Sequence, residues 1–324
     1  RLTTILTTLV LGVVAVASSA FAATTNQSTP ANGLKVSPVR TELSISPGSS
    51  KTVTIYVTDP TTSPIQLQVF IDDFKASGNN GSPQLILNSS RTDPHGLYRY
   101  IAPIKNVSLA ANQQVGVPVV ITIPKGTPAG GYYAAVRFSP VSSGSGQNLT
   151  LTANVASLLL VKVPGHGLNE QLNVSSFKVS QNNHPGKYFF SRNSLSAVVQ
   201  FTNTGNVQEE PFGKVVVQSG GKTILSEEIN NSVSPGSVLP GSSRQFSVPL
   251  SHFGWFGKYK VSGYFGYGSS GKLLSVSTTI YIIESWVIIL ILGVIVVIIL
   301  AIWALTRMHH KHSGSSNVNG AKEI

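Results

Sequence analysis

The chain has 324 residues, no cysteine, 11% charged side chains and a formal net charge of +11 at pH 7. Without cysteine there is neither a disulfide framework nor a thiolate zinc set, so the fold rests on its core alone. Charge this sparse, against about 25% in an average soluble domain, leaves a surface of Ser, Thr, Asn, Gln and Gly; lysines and arginines this scattered exclude a nucleic-acid-binding patch.

Residues 1–22 read as a signal peptide. A short apolar run from Ile5 to Ala17 precedes Ala20-Phe21-Ala22, a small-x-small pattern that places cleavage between Ala22 and Ala23, although an uncleaved anchor fits the same residues. Residues 23–33 form a polar leader expected to be disordered. From Leu34 on, Pro38, Pro47-Gly48, Asp59-Pro60, Asn79-Asn80-Gly81 and Asp93-Pro94 cut the chain into short runs with the spacing of a sandwich. Val53, Ile55 and Val57 alternate with Thr52, Thr54 and Tyr56, the two-residue period of a half-buried strand, and further strands are expected over 65–70, 114–123, 132–138 and 149–163.

Pro164-Gly165-His166-Gly167 divides a first domain, 34–164, from a second, 165–284. In the second, Leu195, Ala197, Val199 and Phe201 share one strand face, Ser219-Gly220-Gly221 marks a hairpin, and strands are expected over 258–265 and 273–283. Pro47-Gly48-Ser49-Ser50-Lys51 recurs as Pro240-Gly241-Ser242-Ser243-Arg244, each followed in the same phase by inward residues, Val53, Ile55, Val57 and Phe246, Val248, Leu250. The halves therefore read as divergent copies of one plan, and Tyr132 and Tyr259 each open a late strand as immunoglobulin-like sandwiches do.

Residues 286–305 hold no charge and span about 30 Å as a helix, the thickness of a bilayer core. Trp286 and Trp303 sit where interfacial aromatics belong, and Arg307 and Lys311, with His309, His310 and His312, begin a basic tail, 306–324, expected to be cytoplasmic. The chain is then a single-pass cell-membrane protein with residues 23–284 outside. Those residues carry 19 of the 23 basic and 11 of the 12 acidic side chains, a net +8 that suits an anionic neighbour. The expected fold class is all-β, two immunoglobulin-like β-sandwich domains followed by one C-terminal transmembrane helix.

Three stretches of the first domain, VSPVRTELSISPGSSKTVTIYV, NNGSPQL and VSLAANQQVGVPVVITIPKGTPAGGYYAAVRF, resemble the peptidoglycan-binding domain of WxL-interacting proteins over about residues 34–163. The second half resembles that family's partner domain more loosely. The resemblance implies an exported, single-pass, non-enzymatic protein that binds cell-wall polymer, peptidoglycan or another anionic glycan; the chain is expected to do this and/or to present or scaffold other surface proteins. It supplies no ligand-contact residue.

The residues themselves suggest where binding lies. Tyr98, Arg99 and Tyr100 mix aromatic and basic side chains suited to sugar rings and anionic groups, and Tyr133 and Arg137 are expected on an adjoining strand, although the same aromatics fit a sandwich core. Phe253, Trp255 and Phe256, with Tyr264 and Phe265, read as an aromatic hairpin close to the membrane. No catalytic set emerges. Asp72-Asp73, Glu209-Glu210 and Glu227-Glu228 are strand neighbours pointing to opposite faces and read as solvated charges. The Ser-x-x-Lys matches at 219–222 and 269–272 fall in glycine turns. His95, His166, His184 and His252 stand isolated, so neither metal nor cofactor is expected. A reading from another class is a chaperone-like or accessory scaffold that takes exported proteins by strand addition at an open sheet edge.

Overall fold

The computed structural model describes residues 33–87, 93–141 and 154–312, with backbone alone from 308. The expected signal peptide with Ala22 and Ala23, nearly all of the leader, residues 149–153 and the side chains of His309, His310, Lys311 and His312 lie outside the described residues.

The first sandwich comprises β1 (Lys35–Ser37), β2 (Arg40–Ser44), β3 (Ser50–Thr58), β4 (Ile65–Ser77), β5 (Ser82–Ile86), β6 (Val107–Leu109), β7 (Gln114–Thr122), β8 (Gly130–Pro140) and β9 (Val155–Val163). One sheet runs β1-β3-β7; the facing sheet runs β2-β9-β8-β4-β5, with β6 also paired to β4. The period of two sorts the side chains. Ile55 and Val57 of β3, Val117, Val119 and Ile121 of β7, and Val136 and Phe138 of β8 meet in a core that is almost wholly shielded from water. At roughly 1.5–3 kcal/mol per buried aliphatic or aromatic side chain, such a core stabilises the domain without disulfides.

The second sandwich comprises β10 (Leu172–Gln181), β11 (His184–Gly186), β12 (Tyr188–Phe189), β13 (Leu195–Asn203), β14 (Phe212–Ser219), β15 (Lys222–Ile229), β16 (Ser243–Leu250), β17 (Phe256–Tyr267) and β18 (Lys272–Ile283). Its sheets run β11-β10-β13-β16 and β12-β18-β17-β14-β15. Leu195, Ala197, Val199 and Phe201 face the core as their alternation predicts. Gly220 and Gly221, at φ 56° and 80°, form the tight β14–β15 turn that their positive φ permits.

The halves do share one plan. In each, a short strand near the start pairs in parallel with the last strand, β2 with β9 and β12 with β18. In each, the next-to-last strand is anchored by a buried tyrosine: Tyr132 Oη donates to the Pro128 carbonyl at 2.9 Å, and Tyr259 Oη accepts from Gly254 N at 2.8 Å. The repeated pentapeptide does not mark equivalent strands, however. It enters β3, the middle strand of its sheet, in the first half and β16, an edge strand, in the second. By position, an edge strand directly before the next-to-last strand, the counterpart of β16 is β7, and each carries a proline, Pro249 and Pro118. The shared phase arises because any tight turn before a strand with one buried face sets the same alternation.

The α-helix among the described residues, α1 (Ser285–His312), follows β18 with only Glu284 between. Over Ser285–Arg307 its mean hydropathy is 3.4 and no residue is buried, so it is long and apolar enough to cross a bilayer.

Candidate binding surfaces

The residues singled out in the first domain divide among different environments. Tyr98, Arg99 and Tyr100 form a 3-10 turn rather than a strand. Tyr100 turns inward and meets Tyr132 edge-to-face at 5.5 Å, while Arg99 is exposed and donates to the Asp93 carbonyl at 2.8 Å. Tyr98 N donates to Asp73 Oδ1 at 2.8 Å. Tyr133 and Arg137 do share the outer face of β8, but neither ring nor guanidinium is free there. Tyr133 is 2% exposed. Its ring packs on Phe74 and its hydroxyl donates to Gln208 Oε1 of the second sandwich at 3.0 Å. Arg137 Nε donates to Asp72 Oδ2 at 2.9 Å, with its guanidinium 4.3 Å over the Phe70 ring.

The Tyr133 contacts belong to a junction between the sandwiches that sequence reasoning did not find. Phe74, Tyr133, Ala135 and Leu160 of the first sandwich meet Leu239 of the second in a small apolar seam. Around it, Arg40 binds Glu210, Ser237 and the Pro235 carbonyl, Asn206 Nδ2 donates to the Ala129 carbonyl at 3.1 Å, and Gly131 N donates to the Asn206 carbonyl at 2.7 Å. Lys162 Nζ reaches Glu170 Oε1 at 2.6 Å, and Glu170 Oε2 accepts from Ser269 N and Oγ, both at 2.8 Å. Burial works to raise the Glu170 carboxyl, but the hydrogen bonds from Lys162 and Ser269 outweigh it and hold the group below its ordinary value.

The carboxylate neighbours are accordingly not all solvated, contrary to the sequence reading. Asp72 is ion-paired, and Asp73 is buried, its carboxyl raised by desolvation. Glu209 is 3% exposed beside the junction, where burial first and the Glu170 carboxylate second push its carboxyl up to about 7. Packing between the sandwiches encloses Glu209 and Glu210, whereas Asp72 and Asp73 are covered within the first sandwich, by Arg137 and by the 93–98 segment; Glu227 and Glu228 stand in water.

Among the described residues, three edge strands of eight or nine residues run along the sandwiches, β7, β15 and β16. Two are blocked. The Val120 carbonyl bonds Ala102 N at 3.0 Å on the side away from β3, so Pro118, two residues earlier, puts its hydrogen-free nitrogen on that open side. Gln245 N likewise bonds the Asn79 carbonyl at 2.6 Å away from β13, and Pro249, four residues later, faces the same way. The third edge, β15, carries no proline and pairs with β14 alone. On the outer face of its sheet, Phe212, Tyr264 and Leu273 are 55%, 51% and 84% exposed around an open cleft that Lys214 and Glu228 also line.

The aromatic residues near α1 are not a hairpin. Residues 251–255 join β16 to β17 across the two sheets. Phe253 points into the core and packs edge-to-face on Tyr259 at 4.9 Å, and Phe265 is buried too. Trp255 and Phe256 remain outside, and Trp255 meets Trp286 edge-to-face at 5.1 Å. Tyr264 lies eight residues along β17 from Phe256, at the far end of the strand. Trp303 carries the Arg307 guanidinium 5.0 Å from its ring.

No family model matches the chain, and no curated protein matches it. Among solved structures it is similar to the class 5 fimbriae chaperone CfaA, with a TM-score of 0.37 and 12% identity over 76% of this chain and 98% of that one. It is similar to the E. coli chaperone DraB at 0.34 and 15%, over 76% and 98% of the two chains, and to the Pseudomonas aeruginosa CupB2 chaperone at 0.31 and 13%, over 74% and 97%. At such scores the likeness bears on neither function nor mechanism, and the fold rests on the sheets themselves.

Proposed function

We propose that the chain is a non-enzymatic scaffold on the outer side of a cell membrane, tethered by α1, that receives an extended segment of another exported protein along β15. The observation that carries this reading is the contrast among the long edges: β7 and β16 each present a proline on the open side, whereas β15 offers eight residues without one. An open row of backbone donors and acceptors is a template for one more strand, and the flanking side chains select which strand is taken. Glu227 and Glu228 are exposed on β15, so the partner segment is extended and basic.

A photo-crosslinking side chain at the exposed Thr223 of β15 in the full chain, in its native membrane, tests this, with Ser226 left free for substitution. Adducts with an exported protein that vanish in the Ser226→Pro variant, while the melting temperature of the variant stays within a few degrees, are the expected result. Undiminished co-purification of the partner by Ser226→Pro sinks it.

A second reading, attachment to an anionic wall polymer, goes with the resemblance of residues 34–163 to WxL-interacting proteins. Lys214, Lys258 and Lys260 on the same outer face as Phe212 and Tyr264 favour it, since that mixture suits charged glycans. Salt-sensitive pelleting with purified peptidoglycan, equal in the native chain and in Ser226→Pro, separates it from strand addition.

A further inference from the structure

The end of the second sandwich nearest α1 is held to the helix without slack. Glu284 N donates to the Trp255 carbonyl at 2.8 Å, Ser285 N and Oγ reach the Phe190 carbonyl at 3.1 and 3.0 Å, and Arg192 N donates to Glu284 Oε1 at 2.9 Å. The first turn of α1 therefore has a fixed position relative to two segments of the domain, residues 190–192 and Trp255. Between them lies an apolar cleft of about 370 Å³. Phe256, Ile282 and Ile283 form its domain wall, and Val287 and Ile291 of the helix form the other.

That shared cleft fixes a depth. Ile291 lies five residues beyond Trp286, about 7.5 Å farther along the axis at the helical rise. A helix whose apolar span starts at Trp286 carries Val287 and Ile291 into the outer edge of the hydrocarbon, and whatever faces them across a cleft goes with them. The domain's end is built for that place. Phe190, Trp255 and Phe256 are 57%, 54% and 69% exposed, more than a water-facing surface of this sparsely apolar kind leaves uncovered. Lys187, Arg192 and Lys258 are exposed beside them, at the level where phosphates lie. The acidic side chain at the spot, Glu284, is ion-paired to Arg192.

We infer that the second sandwich has its own bilayer-contact surface, a foot of Phe190, Trp255 and Phe256 seated in the outer-leaflet interface, with the cleft beside Ile291 filled by phospholipid acyl chain. The domain stands on the membrane in one orientation instead of swinging above it. This rests on the reading of α1 as a membrane span, and the test keeps the two apart.

The full chain contains three tryptophans, Trp255, Trp286 and Trp303. Two variants each retain one, W286F/W303F keeping Trp255 and W255F/W286F keeping Trp303. Both are reconstituted in phosphatidylcholine vesicles whose acyl chains carry bromine high or low along their length. Blue-shifted Trp255 emission, quenched most by the bromines nearest the headgroup, is expected together with quenching of Trp303. Quenching of Trp303 with a water-like, unquenched Trp255 overturns the foot and leaves the span standing. Absence of quenching in both variants overturns the span, and the foot with it.

Discussion

The hydroxyl of Tyr133 in the first sandwich and Oε1 of Gln208 in the second meet 3.0 Å apart at the rim of the seam that Leu239 closes. This couples the domains through a residue that also belongs to the packing of the first. Tyr133→Phe removes the hydrogen bond and is expected to cost about 1 kcal/mol, while Tyr133→Ala empties the seam and costs roughly 3–5 kcal/mol. Calorimetry should give one transition for the two native sandwiches and two for Tyr133→Ala. A single unshifted transition in Tyr133→Ala would mean the seam couples nothing.

Glu209 makes stability depend on pH in a defined direction. Its carboxyl titrates at about 7 in the fold against 4.5 when unfolded, so the folded state holds the proton more tightly. The stabilising contribution of the neutral acid is complete below pH 4.5 and is lost as pH rises through 7, on the order of 1–3 kcal/mol in all. Glu209→Gln should flatten that decline and be the more stable protein at pH 8. Denaturant midpoints at pH 4, 6 and 8 decide it, and a native chain that gains stability across this range contradicts it.

The paired tyrosine anchors predict matched losses. Tyr132→Phe removes the bond to the Pro128 carbonyl and Tyr259→Phe the acceptor of Gly254 N, while both rings stay packed. Each should destabilise by about 0.5–1.5 kcal/mol in urea titrations without changing the slope.

Restoring the missing donors on the blocked edges should make the protein associate with itself. Pro118→Thr and Pro249→Thr each supply a backbone N–H on an open side and a residue with good strand propensity. Size-exclusion chromatography of the detergent-solubilised chain should show concentration-dependent dimers or larger species for these variants. Unchanged elution at high concentration would show that another feature protects the edges.

Much of the fold was legible because strand alternation is a local signal. Val53, Ile55 and Val57, or Leu195 through Phe201, state their burial in the order of their own residues. The glycine pair at 220–221 fixes a hairpin in the same local way, and 20 residues without charge mark a helix long and apolar enough to cross a bilayer. The sites were less legible because their partners are remote in sequence. Tyr133 as a stacking platform and Tyr133 as a wedge between domains are the same letter; Gln208, 75 residues away, decides between them. Tyr98, Arg99 and Tyr100 look like an alternating strand until Asp73, 25 residues earlier, holds the Tyr98 amide in a turn. Pro118 and Pro249 were visible as prolines, but which side of a strand their nitrogens face depends on which edge is left open. A proline inside an otherwise regular alternation was the available signal for a blocked edge.

The hairpin of β17 and β18 runs from the Glu170–Ser269 contact at one end to Glu284 and the helix at the other. Twelve strand residues reach about 40 Å, so the hairpin acts as a strut of set height. A pull on the far end of the second sandwich then reaches the first turn of α1 through twelve paired residues loaded side by side, with Glu284 alone between strand and helix.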